Sequence, residues 1–296
     1  MNKKIVSVTN EKKMMIAYLK EDMKLSSRKA KGLLKNGMVK LNDKKAYGDS
    51  LVKYGDIIQI LYADDQDDGL IPKKVNLLIL YEDEFLMVVH KPPFISMHPT
   101  KDKNTDDTLA NGIRYYFDRK EINEPVRFFN RLDMNTSGAV LIPKDGQTHS
   151  LLYRFSTNTM TKKYLAIVRG IPERSEGIIK KPISNVKNKA GERIIEETGK
   201  KAITEYRVVE AYTNSSLLDV TIKTGRTHQI RVHLSNIGHP ILGDCLYGKK
   251  TQLINRQALH ASKLEFLHPY KKEHIKIYSP LPEDMKQVII FLKKED

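Results

Sequence analysis

The sequence has few of the residues on which redox and metal chemistry usually depend. Cys245 is its only cysteine, so an internal disulfide is excluded and a reducing compartment, the cytoplasm, is expected. The histidines form no cluster with metal-ligand spacing. His228 and His233 are five residues apart rather than four, which excludes a zinc-protease helix. We therefore expect neither a metal nor another cofactor.

Membrane and nucleotide-binding classes are excluded in the same way. No apolar run reaches the roughly 18 residues that a membrane helix needs. The N-terminus is charged and has no signal-peptide core. No phosphate-binding glycine-rich loop occurs, and Ser137 lies outside any Gly-x-Ser-x-Gly context. We expect a cytoplasmic monomer that does not bind membranes.

Positive charge, by contrast, is abundant. Lysine and arginine number 51 against 36 acidic residues in a chain of 296, which gives a net charge of +15. Such an excess is typical of proteins that bind a polyanion, most simply a nucleic acid. A lysine-rich proteome would produce the same excess, so charge by itself leaves both interpretations open.

The pattern of the chain predicts two domains. Residues 12–35 have helical spacing, and strands are expected at 38–41 and 56–61. The second helix carries Arg28 and Lys29, on a basic face that either tracks phosphates or is simply solvated. We predict an N-terminal domain at 1–62, an acidic linker at 63–74 and a second domain at 75–296.

Strands and helices alternate in the second domain. Strands are expected at 77–81, 85–89, 139–142, 162–168, 202–210 and 217–223, helices at 109–117 and 148–155, and an exposed loop at 186–200. After the last of these strands, Gly225 forms a turn into a short helix that Thr227 is expected to cap. Backbone donors at that helix start, together with Arg226, favour an anion.

One polar stretch precedes the apolar strand at 139–142. It reads Arg131-Leu132-Asp133-Met134-Asn135-Thr136-Ser137-Gly138. A nearby guanidinium favours the ionised form of Asp133, and an ionised aspartate in a turn above a rigid strand is able to act as a nucleophile or base. Aspartates are common in turns, however, so these residues by themselves favour a surface ion pair.

The same stretch resembles the signature of the RluA family of pseudouridine synthases. Three further motifs follow in the family's order: the lysine-proline loop at Lys91-Pro92, Lys163-Tyr164, and the run Gly225-Arg226-Thr227-His228-Gln229-Ile230-Arg231. The resemblance covers about residues 77–270. The chain departs from the family at Asn130, where histidine is usual, and at Phe94, where glycine is usual.

The resemblance implies roles for individual residues. Asp133 becomes the catalytic carboxylate, Arg231 its ionic partner, and Tyr164 the base or a residue that stacks on the uracil. By themselves, Tyr164 would be a strand core residue and Arg231 a solvated helix residue. The substrate contacts that we predict are Lys91, Arg131, Thr136, Arg226, His228 and Gln229, with Arg28 and Lys29 in the N-terminal domain.

The resemblance also implies the fold and the reaction. Residues 12–61 are similar to the S4-like RNA-binding domain, which commonly precedes this catalytic domain. The expected class is α+β: a small αβ RNA-binding domain, then a mixed, mostly antiparallel sheet flanked by helices and loops. The active site is expected in a basic cleft across that sheet.

The implied reaction isomerises uridine to pseudouridine in RNA and needs no cofactor, because nothing is oxidised. Asp133 either attacks the anomeric carbon or removes a sugar proton to give a glycal, and the residues leave this choice open. The expected substrate is large-subunit ribosomal RNA. The alternatives are transfer RNA as substrate, an inactive RNA-binding assembly factor, and a hydrolase of the nucleoside bond.

Overall fold

The computed structural model describes residues 2–7, 12–23, 25, 27–62, 68–99, 107–186, 188 and 191–295. The side chains of Arg28 and Lys29, two predicted RNA contacts, lie outside the described part. The chain forms two compact units, Met1–Asp68 and Gly69–Asp296. Residues 69–74, expected in the linker, thus belong to the second unit. Asn111 binds them, since its Nδ2 donates to Ile71 O at 2.8 Å and its carbonyl accepts from Lys73 N at 3.2 Å.

The described elements follow one another in mixed order. They are β1 (Asn2–Ser7), β2 (Lys13–Met14), α1 (Met15–Glu21), α2 (Ser27–Lys35), β3 (Val39–Leu41), β4 (Lys44–Lys45), β5 (Leu51–Val52), β6 (Ile57–Tyr62), β7 (Leu78–Glu82), β8 (Leu86–Lys91), α3 (Leu109–Arg119), β9 (Ser137–Pro143), α4 (Gly146–Thr159), β10 (Thr161–Arg169), β11 (Glu176–Ile179), β12 (Thr204–Tyr212), β13 (Ser215–Ile222), α5 (Gln229–Asn236), β14 (Leu259–Leu267), β15 (His274–Tyr278) and α6 (Glu283–Glu295). Among them is no helix with the length and apolarity that crossing a membrane requires.

The first unit packs two helices with a four-stranded antiparallel sheet. The strand order is β1-β6-β3-β4. Ala30 and Leu34 of α2 are buried with residues of α1, β3 and β6, while Lys31 and Lys35 of the same helix are exposed. This is the amphipathic pattern that the spacing predicts. Strand β1 was not predicted from the sequence.

The second unit is organised around a nine-stranded sheet in the described part of the chain. Eight strands follow the order β11-β12-β13-β10-β14-β9-β8-β7, and β15 pairs with β14. Every pairing is antiparallel except that of β9 with β14. Helices α3 and α6 bury apolar side chains in the same core as β8, β9 and β10. The predicted α+β class with a mixed, mostly antiparallel sheet is confirmed.

The parallel contact between β9 and β14 depends on a glycine. Gly138 opposes Ala261 and has φ +124°, a conformation that other residues rarely adopt. A Cβ atom on Gly138 would lie 2.3 Å from Ala261 O. The backbones therefore approach closely at the start of β9, directly after the turn that carries Asp133.

Candidate active site

Asp133 lies in a turn that buried groups hold in place. The turn closes with Thr136 N donating to Asp133 O at 3.0 Å. Thr136 is buried, and its Oγ1 accepts from Gln257 Nε2 at 3.2 Å. Arg256, which is also buried, donates from Nη1 to Asn135 O at 3.1 Å. Because neighbouring elements fix its backbone, the turn presents the Asp133 carboxylate in one position.

Lys91 supports the same turn from the other side. It has no exposed surface, and its Nζ donates to three carbonyl oxygens, those of Pro92, Ile95 and Met134, at 2.8, 2.9 and 2.8 Å. Burial, followed by the charge of Arg256, lowers the pKa of Lys91 to about 7. A buried ammonium with three protein acceptors has no donor left for RNA. The predicted substrate contact is therefore replaced by a role in joining the lysine-proline loop to the Asp133 turn.

Arg231 connects two carboxylates. Its Nε and Nη2 donate to Asp244 at 2.6 and 2.9 Å, and its Nη1 donates to Asp133 Oδ2 at 3.1 Å. Burial by itself would lower the pKa of Arg231, but the hydrogen bonds and charge of Asp244, with a further contribution from Asp133, raise that pKa above its usual value. Asp244 thus fixes the guanidinium in the orientation in which its remaining edge faces Asp133.

His228 approaches the same carboxylate oxygen. Its Nε2 lies 3.9 Å from Asp133 Oδ2, and its Nδ1 lies 2.9 Å from the hydroxyl oxygen of Tyr247. That oxygen accepts a hydrogen bond from Arg193 N at 2.7 Å, so its own proton is available to His228 Nδ1. This arrangement favours the tautomer whose Nε2–H faces Asp133. His228, rather than the predicted Thr227, is the N-cap residue of α5, and it has φ +58°.

A cavity of about 290 Å³ opens beside Asp133. Ile222, Ile230 and Leu259 contribute apolar surface to its wall. Tyr164, on β10, also lines the cavity and is 6% exposed. Burial, together with the negative charge of Asp133, raises the pKa of Tyr164. Tyr164 is therefore a neutral phenol at neutral pH.

Among the predicted site residues whose side chains the structure describes, all but Lys91 line this cavity. Those that line the cavity are Arg131, Asp133, Thr136, Tyr164, Arg226, His228, Gln229 and Arg231. Gln229 is engaged internally, because its Oε1 accepts from Thr224 Oγ1 and Arg226 N, and its Nε2 donates to Ile203 O and Thr204 Oγ1. Like Thr136, it shapes the wall rather than offering free polar atoms. Across the described residues, no three His, Cys, Asp or Glu side chains are grouped as a metal site would require.

Comparison with known proteins identifies the family. The family model for RNA pseudouridylate synthase matches residues 85–236, about half of the chain. The chain belongs to the RNA pseudouridine synthase family. It is 35% identical to the uncharacterised RNA pseudouridine synthase YhcT of Bacillus subtilis, over 93% of this chain and 91% of that protein. It is 32% identical to the ribosomal large subunit pseudouridine synthase D of Haemophilus ducreyi, over 91% of this chain and 87% of that protein.

Solved structures agree with this assignment. Human RNA pseudouridylate synthase domain containing 1 is 28% identical, with a TM-score of 0.56, over 74% of this chain and 95% of that chain. Human RNA pseudouridylate synthase domain containing 4 is 25% identical, with a TM-score of 0.58, over 73% of this chain and 93% of that chain.

The two departures from the family signature have structural explanations in this pseudouridine synthase. Phe94 has φ +67°, the left-handed conformation that glycine adopts without strain, so the usual glycine is understandable there. Asn130 is buried. Its Nδ2 donates to Ala139 O at 3.1 Å, and its Oδ1 accepts from Leu141 N at 2.8 Å. It therefore ties the segment before the Asp133 turn to β9.

Sequence reasoning missed the residues that support the site from behind. Asp244 and Tyr247 hold Arg231 and His228, and Arg256 holds the Asp133 turn. In the sequence, Asp244 and Tyr247 lie in the loop that follows α5. Their one signal was an acid and an aromatic residue close together in that loop, a pattern too common to stand out.

Proposed function

We propose that this protein isomerises uridine to pseudouridine in large-subunit ribosomal RNA, with Asp133 as the reacting carboxylate. One observation carries the proposal. Arg231 holds Oδ2 of Asp133 at 3.1 Å, beside the cavity of about 290 Å³, while no described residue donates a hydrogen bond to Oδ1. An oriented carboxylate with one oxygen available at a cavity suits attack on a sugar. The choice of ribosomal RNA is supported by relatives named as ribosomal large subunit pseudouridine synthases.

The proposed reaction uses groups that the chain itself supplies. The target uridine leaves its stack and places its base against the apolar wall and Tyr164. Asp133 bonds to the anomeric carbon or takes a sugar proton, and the carbon–nitrogen bond breaks in either route. The uracil then rotates and its carbon 5 bonds to the anomeric carbon. This step breaks the ester to Asp133 or, in the glycal route, returns the proton from Asp133 to the sugar, and carbon 5 then loses its own proton. Arg231 donates a hydrogen bond to Oδ2 of Asp133 and so orients the carboxylate toward the sugar.

Tyr164 has a specific place in the last step. Since its pKa is raised, its hydroxyl group enters the reaction as a neutral phenol. A phenol accepts a proton from carbon 5 only while it passes its own proton on, to water or to a carboxylate. We assign Tyr164 this relay, together with stacking against the uracil.

Mapping of pseudouridines tests the proposed function and its substrate. Total RNA from a strain without the gene should lack one or more pseudouridines in large-subunit ribosomal RNA, and the intact gene should restore them. A loss confined to transfer RNA would overturn the proposed substrate. The purified protein is also incubated with the RNA. Release of free uracil would identify a hydrolase, and an RNA that stays unchanged would identify an inactive assembly factor.

We propose that the first unit is the S4-like RNA-binding domain that the sequence predicts. The exposed Lys31 and Lys35 of α2 support this, since a basic helix face suits RNA phosphates. Removal of residues 1–68 should weaken binding of the native RNA, because phosphate contacts are lost. Filter binding measures the affinity. Circular dichroism must show that the remaining chain is folded, and an unfolded product would contradict the boundary.

A further inference from the structure

A second cavity, of about 250 Å³, adjoins the active-site cavity. The two share one wall, formed by Gly225, Arg226 and Thr227. The other residues around the second cavity belong to two segments, 183–185 and 193–200. The two cavities therefore adjoin one another at residues 225–227.

The charged residues that line the second cavity are all cations. They are Arg193, Lys200 and Arg226. Within the described residues, no carboxylate forms an ion pair with any of the three. Some cations elsewhere in the unit are paired with carboxylates, as Lys163 is with Asp219 at 2.9 Å. Three unpaired cations around one cavity favour an anion as its occupant.

The guanidinium of Arg193 is also short of hydrogen-bond acceptors. Its Nη1 donates to Ser184 O at 3.3 Å, and its Nε is buried without a partner in the described structure. Buried donors without partners are rare in folded proteins and call for an explanation. A phosphate group that enters the cavity would supply the missing acceptors, with the planar geometry that arginine prefers.

Neighbouring elements fix the frame that carries these cations. Ile183 and Lys200 exchange two backbone hydrogen bonds, at 3.0 and 2.8 Å. Arg193 N donates to the Tyr247 hydroxyl at 2.7 Å, and Tyr247 in turn contacts His228 beside Asp133. The position of Arg193 is thus fixed relative to His228, and through it relative to Asp133.

We propose that the second cavity binds the phosphate of a nucleotide next to the target uridine, so that Arg193 and Lys200 set which nucleotide of the strand reaches Asp133. This inference rests on the proposed function. A flipped uridine remains joined to its neighbours through the sugar-phosphate backbone, and the second cavity adjoins the cavity of Asp133 at residues 225–227, where a neighbouring phosphate would lie.

The first test uses the full chain and single-turnover kinetics on the mapped RNA. Arg193→Gln and Lys200→Gln should each raise the half-saturating protein concentration at least fivefold. The rate at saturating protein should change much less. The slope of log affinity against log salt should shrink by about 0.7 for each removed single-strand contact. Arg119→Gln and Lys286→Gln are matched controls at exposed positions of α3 and α6. Half-saturation equal to that of the controls would overturn the proposal.

The second test replaces one phosphate of the RNA by a neutral methylphosphonate, on either side of the target uridine in turn. One of the two replacements should weaken binding by the wild type and cause little further loss in Arg193→Gln. Fully additive losses at both positions would contradict the assignment. Inorganic phosphate that weakens wild-type and variant binding equally would show that only general anion screening is at work. RNA affinity is measured independently of turnover, so an inactive wild type would reject the proposed function and still leave this assignment tested.

Discussion

Asp83 and Asp133 lie at opposite ends of the same pair of strands and differ in what surrounds them. Strands β8 and β9 run antiparallel, with Leu86 opposite Pro143 and Lys91 opposite Gly138. Asp83 therefore lies near the end of β9, and Asp133 precedes its start. Both aspartates have cationic partners, so the presence of an ion pair does not distinguish them.

Asp83 has its carboxylate oxygens fully occupied by the protein. Oδ1 accepts from Phe85 N and Leu86 N at 2.9 and 3.0 Å. Oδ2 accepts from the Tyr81 hydroxyl at 2.8 Å and Lys271 Nζ at 2.9 Å, and His268 Nε2 lies at 2.9 Å. This carboxylate holds a hairpin to the strands beside it and has no oxygen left for a substrate.

Asp133 has one oxygen committed and one available. Arg231 binds Oδ2 at 3.1 Å, and no described residue donates to Oδ1. Its side chain is 21% exposed at the cavity, against 12% for Asp83. What marks a candidate catalytic carboxylate here is an unfilled lone pair at a cavity rather than the strength of its ionic partners.

The largest expected effect is that of Asp133→Asn. The amide keeps the shape of the side chain but removes the nucleophile or base, so pseudouridine formation should fall by about 10⁴-fold. RNA affinity and the midpoint of thermal unfolding should stay close to those of the wild type. A single-turnover assay with mapped RNA measures the rate. A variant that retains a tenth of the normal rate would remove Asp133 from the reaction.

The next effect is that of Tyr164→Phe, which keeps the ring and removes the relay. Release of tritium from carbon 5 of the uracil should slow by about 10³-fold, since the hydroxyl passes on that proton. Binding and base flipping should persist, because the ring still stacks. Tritium release measures the step, with filter binding as the control. Near-normal release would leave Tyr164 as a packing residue.

Asp244→Asn should have a smaller effect on the same reaction. Its amide oxygen still accepts from one nitrogen of Arg231, but its NH2 group opposes the other, so Arg231 holds Asp133 less firmly. We expect a loss of about 10²-fold in the saturating rate, the usual consequence of slight misplacement. RNA affinity should be nearly unchanged. If affinity falls as far as the rate, Asp244 shapes the RNA surface instead of orienting Arg231.

How far the sequence predicts the fold and the site depends on how far apart in the chain the interacting residues are. The spacing of apolar residues predicted β8, β9, β10 and α3 to within a few residues, because burial on one face is a local pattern. Asp133 and Arg231 are 98 positions apart, and only the family resemblance linked them before the structure placed them in contact.

Failures occurred where tertiary contacts override a local rule. The sequence predicts Lys91 as a substrate contact, but it is fully buried, and three carbonyl groups of the protein accept its hydrogen bonds. Thr227 was expected to cap α5, yet His228 occupies that position with φ +58°. The second case places strain beside the candidate catalytic carboxylate, where strained backbone is commonly found.

The smallest expected effect on the reaction is that of Asp83→Asn, which should act on stability alone. An amide at this position sets its own hydrogens against the donors of Lys271 and His268, so we expect the free energy of unfolding to fall by about 3 kcal/mol. Such a loss lowers the melting temperature by roughly 10 °C in a unit of this size. The rate of pseudouridine formation, measured well below that temperature, should stay within twofold of the wild-type rate.

The difference in free energy of unfolding between the wild type and Asp83→Asn should depend on pH, because of the pKa of Asp83. Burial by itself would raise that pKa, but the hydrogen bonds from Lys271, Tyr81 and the backbone amides hold it well below the ordinary carboxyl range. A carboxyl whose pKa is lower in the folded state stabilises the protein at pH values above its pKa in the unfolded state, which is about 4. This stabilisation is lost as the pH falls toward the pKa of the folded state. The stability gap between wild type and Asp83→Asn should therefore be full at pH 7 and shrink below about pH 4. A gap that does not change with pH would mean that the charge of Asp83 is not what stabilises the hairpin. A loss of activity in the folded variant would abolish the distinction between the two aspartates.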